Sequence, residues 1–119
     1  MSTEKVYTTF LDFYPYYLTE HARPINRTLH FIGTAFVIAF AIAAPFTGNY
    51  KLLFFMPLFG YGFAWFGHFT LEKNRPATFK YPFYSLGSDF VMFFHILTGQ
   101  INEKVEDAHA TIGVENKWK

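Results

Sequence analysis

Five histidines, at positions 21, 30, 68, 95 and 109, stand in a chain with no cysteine, so any metal it holds must be bound through nitrogen and oxygen. Neutral imidazoles suit iron, zinc, copper or nickel, and iron needs open positions for chemistry. His30 and His68 carry most weight, because each lies in an uncharged apolar run, where polar groups are costly and tend to be functional. His21 sits in a polar segment, Thr19 to Pro24. Glu72 follows His68 by four residues and so shares its face on a helix. Three imidazoles and a carboxylate are therefore candidates for one site. Asp89 is the single charge in a third apolar stretch and the better contributor from that stretch. His95 would lie roughly 20 Å along it at ~1.5 Å per residue, toward the far face, and is expected to be a hydrogen-bonded interior histidine. His109, in a charged tail, is expected to be solvated.

The elements that must position these groups follow from charge and hydropathy. Between Arg27 and Lys51 there is no Asp, Glu, Lys or Arg, and the apolar part, residues 29–46, is followed by a second uncharged stretch, residues 52–71. Each is near the ~20 residues that cross ~30 Å of hydrocarbon. Thr47 to Lys51 has the composition of a turn, so the two form an antiparallel hairpin. A third apolar helix over about 83–101 could cross, re-enter or lie on the surface. Val6, Phe10, Phe13 and Tyr17 mark an interfacial helix kinked or broken at Pro15. Ile101, Val105, Ala108 and Ile112 give residues 102–119 the pattern of a solvated amphipathic tail. The expected fold is all-α, a small integral membrane helical bundle forming one domain over residues 1–119.

Composition supports a bilayer as solvent. Only 16% of residues are charged against 51% hydrophobic, well under the usual quarter. A net charge of +1 and the lack of a basic stripe exclude nucleic acid as a partner. Arg23, Arg27, Lys73, Arg75 and Lys80 flank the hairpin's open end while only Lys51 sits in its turn, so both ends should face the cytoplasm as a multi-pass protein. A signal peptide ending at Ala41-Ile42-Ala43 is disfavoured by the long, mixed-charge segment before it. With Asn26 as N-cap, His30 falls about one turn inside the cytoplasmic end, as does His68 before Glu72. His30, Thr34, Val37 and Ala41 share one face, and Gly60, Ala64, Gly67 and His68 another. Their small residues would let the helices approach closely.

The segments His21-Ala22-Arg23-Pro24-Ile25-Asn26-Arg27-Thr28-Leu29-His30-Phe31-Ile32-Gly33 and Gly67-His68-Phe69-Thr70-Leu71-Glu72-Lys73-Asn74-Arg75-Pro76-Ala77, with Tyr81 to Leu86 and Asp89, carry a family likeness. Together they resemble the small membrane family of the fungal 2-hydroxy fatty acid dioxygenase, which metabolises phytosphingosine to odd-numbered fatty acids. The likeness runs from Phe13 to about Gly99 and is greatest to bacterial members. It implies an iron(II)-dependent dioxygenase that shortens 2-hydroxy fatty acids by one carbon, with His21, His30 and His68 as iron ligands and Glu72 and Asn74 as nearby support. The resemblance assigns no role to His95. Arg23, Arg27 or Arg75 could hold the substrate carboxylate, and Glu72 or Asp89 could fix an imidazole tautomer from outside the coordination sphere.

Two other functions compete. A non-enzymatic membrane protein, such as a small transporter subunit or scaffold, would use Asp89 as its one intramembrane carboxylate. A lipid hydroxylase would need dense histidine boxes, whereas no two histidines here lie within four residues. An oligomer is compatible with the sequence but not specified by it.

Overall fold

The computed structural model describes residues 6–74 and 80–116, and among these all regular structure is helical. Helix α1, Phe10–Thr19, starts at Thr9, whose hydroxyl accepts from the Asp12 amide, a capping arrangement that satisfies one orphan N–H. Pro15 lies inside α1 without ending it. Helix α2, Pro24–Thr47, opens with Pro at its first position and closes on Gly48 in the left-handed region, the usual placement of both residues. The true N-cap is Arg23 rather than Asn26, which sets His30 nearly two turns into α2.

Helix α3, Phe55–Phe66, is the middle of a longer rod. A 3-10 turn, Tyr50–Phe54, leads into it and a π-helical segment, Gly67–Glu72, extends it. Helices α4, Pro82–Leu97, and α5, Ile101–Ile112, complete the chain. Two helices, Pro24–Thr47 and Tyr50–Glu72, are long and apolar enough to cross a membrane. Helix α4 has 16 residues, about 24 Å at ~1.5 Å each, short of the ~30 Å of hydrocarbon.

The molecule has a packed head and a bare stalk. Phe13, Tyr17 and Leu18 of α1, Met92 of α4, and Val105 and Ala108 of α5 form the buried core. The last helix is amphipathic as its pattern requires, but it is a structural wall of the head rather than a free tail. His109 is accordingly buried, its Nδ1 donating to the Val105 carbonyl at 2.8 Å, which corrects the expectation of a solvated side chain. Val6 precedes α1 and is exposed.

Along the stalk α2 and α3 pack through Phe36 on Phe59, ring centroids 4.8 Å apart, and Phe40 on Phe59 at 5.3 Å. Phe31 stacks on Phe93 at 4.5 Å and ties α2 to α4. The outward faces carry Phe36, Ile42, Phe46, Phe54, Leu58 and Phe66, all exposed. Glycines set the depth of the α2–α3 contact. A Cβ on Gly60 would meet Val37 Cγ2 at 3.1 Å, and one on Gly67 would overlap the Asn26 carboxamide, 2.8 Å from its Cγ.

Gly67→Ala is therefore expected to push α2 and the π segment apart and cost ~1–3 kcal/mol, the usual scale of overpacking. Gly62→Ala, where an added Cβ meets nothing within 4 Å, should be neutral or stabilise by up to ~1 kcal/mol. Thermal unfolding in detergent compares the two, and equal effects would contradict the packing described.

Candidate metal centre

Three elements deliver three imidazoles to one point, the third from 47 residues beyond the first. His21 leaves α1 in a turn where its own amide reaches the Leu18 carbonyl at 3.0 Å. Arg27 Nη1 donates to the carbonyls of His21 and Ala22, each at 2.9 Å, so the first turns of α2 clamp the turn that carries His21. Glu72 closes the same ring of contacts, accepting from the Arg23 amide at 2.7 Å. His30 enters from α2 and His68 from the π segment.

All three side chains are buried, and one ligand atom from each lies within 4.8 Å of the others. The Nε2 atom of His21 stands 2.9 Å from Nε2 of His68 and 3.1 Å from Nε2 of His30. The rings meet at 79°, 84° and 86°, so each presents an edge to the common centre.

The partners of the outer nitrogens decide where the protons are. His21 Nδ1 lies 2.6 Å from the Tyr17 carbonyl, which can only accept. His68 Nδ1 lies 2.7 Å from Asn74 Oδ1, and that amide is oriented by its Nδ2 donating to the Glu20 carbonyl at 3.3 Å. Both outer nitrogens therefore carry hydrogen, and both inner nitrogens present lone pairs. Burial, with His30 and His68 beside it, holds His21 well below its ordinary value of 6.5, so its ring is neutral. No proton is left for the 2.9 Å contact. His30 Nδ1 faces Asp89 Oδ1 at 3.4 Å, which favours the same tautomer in the third ring. Converging lone pairs at this range call for a cation, and nitrogens about 3 Å apart suit neighbouring ligands at ~2.1 Å from one ion. The donor set fits a first-row metal with further positions open.

Asp89 also accepts a hydrogen bond from the Tyr17 hydroxyl, and the Tyr17 ring stacks on His21 at 4.1 Å. Tyr17 thus supports two of the three imidazoles. Its position four residues before a histidine at a helix end was the available signal, since a ring there can reach the i−4 carbonyl.

Glu72 is placed differently from its expected position. In the π segment the i+4 residue no longer overlies residue i, and Lys73 adopts φ 56°, which turns Asn74 back so that its amide reaches the His68 carbonyl at 2.9 Å. Asn74 thus meets His68, while Glu72 secures the start of α2. Arg27, buried with Nη1 on two carbonyls, braces the turn. Arg23 contributes its amide to Glu72 at the rim, and Arg75 lies outside the described residues. His95 is bonded to the Tyr14 hydroxyl at 2.7 Å, away from the three histidines. A cavity of about 200 Å³ adjoins the centre, with His30 and Asp89 at its polar end and Val37, Met56, Pro57 and Phe90 along its apolar walls.

Two measurements follow. Asn74→Leu strips His68 Nδ1 of its acceptor and should weaken metal binding roughly 10- to 100-fold, as read by competition with a chelating dye; unchanged affinity would contradict the tautomer assignment. In metal-free protein the unfolded chain protonates His21 near 6.5 and the folded chain does not. That contribution to stability is complete above 6.5 and is lost as pH falls through it. Melting temperature should decline from about pH 7.5 to about pH 5.5, and His21→Asn should flatten the decline; an equal slope in the variant would count against a buried neutral imidazole.

No curated protein and no solved structure matches the chain. The family model described as 2-hydroxy-palmitic acid dioxygenase Mpo1-like matches residues 7–101, a stretch that contains the three histidines, their partners Tyr17, Asn74 and Asp89, and the walls of the cavity. On that match the chain belongs to the Mpo1-like family.

Proposed function

We propose that the protein is a membrane-embedded, iron(II)-dependent dioxygenase that shortens 2-hydroxy fatty acids by one carbon. The observation that carries this reading is the His21–His68 contact, in which two imidazole nitrogens lie 2.9 Å apart while both outer nitrogens face hydrogen-bond acceptors. The family's name adds the reaction class and the lipid substrate.

His21, His30 and His68 would hold the iron, which when bound supplies Lewis acidity toward the hydroxy acid and a site for dioxygen during cleavage of the C1–C2 bond. The Tyr17 carbonyl, Asp89 and Asn74 keep the three rings turned inward. The apolar cavity beside His30 receives the acyl chain and keeps water from it. Glu72 and Arg27 act at one remove, fixing the turn that presents His21. A transporter would use Asp89 as its intramembrane carboxylate, whereas the contacts of Asp89 with Tyr17 and His30 support a role beside the histidines.

The two long helices support a bilayer setting. Only 22% and 17% of their apolar windows are buried, and exposed apolar faces of this extent suit a lipid environment. The basic residues at the open end of the hairpin favour the cytoplasmic side for the site.

Protein purified in detergent under reducing conditions should bind close to one iron per chain and convert 2-hydroxy fatty acids to acids one carbon shorter. His30→Ala and His68→Ala should each abolish both. Full turnover in either variant would sink the assignment.

A further inference from the structure

The cavity beside the histidines is not closed. Its polar end is formed by His30 and Asp89, and its walls come from α2, α3 and α4. Helices α3 and α4 both pack on α2, and between them the cavity reaches the surface of the stalk. Tyr61 of α3 and Leu86 and Phe90 of α4 line it and are 38%, 48% and 41% exposed. These rim residues are apolar or aromatic, and the α2 and α3 walls belong to the two helices long enough to cross a membrane. The opening therefore faces sideways, toward the surroundings of the stalk.

Size makes the opening consequential. A volume of about 200 Å³ is below the ~300–1,000 Å³ of pockets that enclose a drug-sized ligand. The cavity therefore takes only the polar end and the first carbons of a long-chain acid. The remainder must leave through the cleft.

We propose that the cleft between α3 and α4 is a lateral portal through which a long-chain acid passes from the bilayer, its polar end on the His30 side of the cavity and its distal chain left among the lipids. This rests on the reading of the site as one for 2-hydroxy fatty acids, and it names the route and the recognised part of the substrate. The occupant is fixed by the shape of the cavity: polar at one end, apolar along its walls, and open where apolar rim residues are exposed. Carbons beyond the portal remain in an apolar medium whether or not the acid is bound, so they add nothing to affinity once membrane partitioning is accounted for.

The chain has no cysteine, which allows a reversible block. Leu86→Cys, modified with a bulky methanethiosulfonate reagent, should weaken binding of 2-hydroxyhexadecanoic acid from phosphatidylcholine vesicles by tenfold or more and leave 2-hydroxybutanoic acid unaffected, with thiol reductant restoring the wild-type value. Binding is read on zinc-loaded protein, which cannot turn over, with metal content checked. The same label on Ile42→Cys, an exposed position on α2 outside the cleft, should change neither acid. On unmodified protein, affinities referred to membrane concentration should be flat from ten to eighteen carbons, about threefold at most across the series. Unaltered binding of the long acid after labelling, equal loss of both acids, or affinity rising steadily with each carbon would overturn the portal alone. Failure of unmodified protein to bind either acid would overturn the portal together with the dioxygenase reading.

Discussion

The fold is organised around two imidazole nitrogens 2.9 Å apart, on rings whose outer nitrogens face hydrogen-bond acceptors. Such a contact is unfavourable alone, because each lone pair has lost water and gained a like neighbour. It persists because the outer nitrogens are held: His21 by the Tyr17 carbonyl, His68 by Asn74, and His30 opposite Asp89. Those three supports come from α1, from the end of the π segment and from α4. A histidine cluster of this kind makes the helices interdependent, since displacing one breaks a support as well as moving a ring.

The rest of the head serves that centre. The core of Phe13, Leu18, Met92, Val105 and Ala108 fixes α1 and α4 against α5, and through them Tyr17 and Asp89. Arg27 and Glu72 bind the ends of the turn between α1 and α2. In the stalk, Gly67 lets the Asn26 carboxamide lie against the backbone of the π segment, bringing His68 down to His30. Head and stalk are thus partly separable: the head positions the rings, and the stalk supplies the apolar walls of the cavity beside His30.

Much of this was legible in the sequence because hydropathy and small-residue spacing are local signals. The hairpin, the shared level of His30 and His68 and the packing role of Gly60 and Gly67 follow from them. Of the second set of contacts, Asp89 follows as a carboxylate able to fix a tautomer and Asn74 follows only through the family likeness, for a physical reason. A π segment changes the angular advance per residue, so the α-helical i+4 rule assigned Glu72 the place that Asn74 occupies. The left-handed turn at Lys73 lacks the glycine that would announce it. Similarly, the stripe of Val105 and Ala108 showed that α5 has an apolar face but not that α1 covers it, and His109 was misread as solvated for that reason. Arginines beside a candidate site suggested anion binding, whereas Arg27 satisfies the carbonyls of a tight turn.

X-ray absorption at the iron edge of the reconstituted protein addresses the central claim most directly. Three imidazole rings converging through Nε2 predict a first shell containing three histidine nitrogens near ~2.1 Å, with the outer-ring scattering that imidazoles produce. Loss of one imidazole contribution in His21→Ala should accompany it. A shell of oxygen alone, or fewer than three imidazoles in the wild-type protein, would contradict the account.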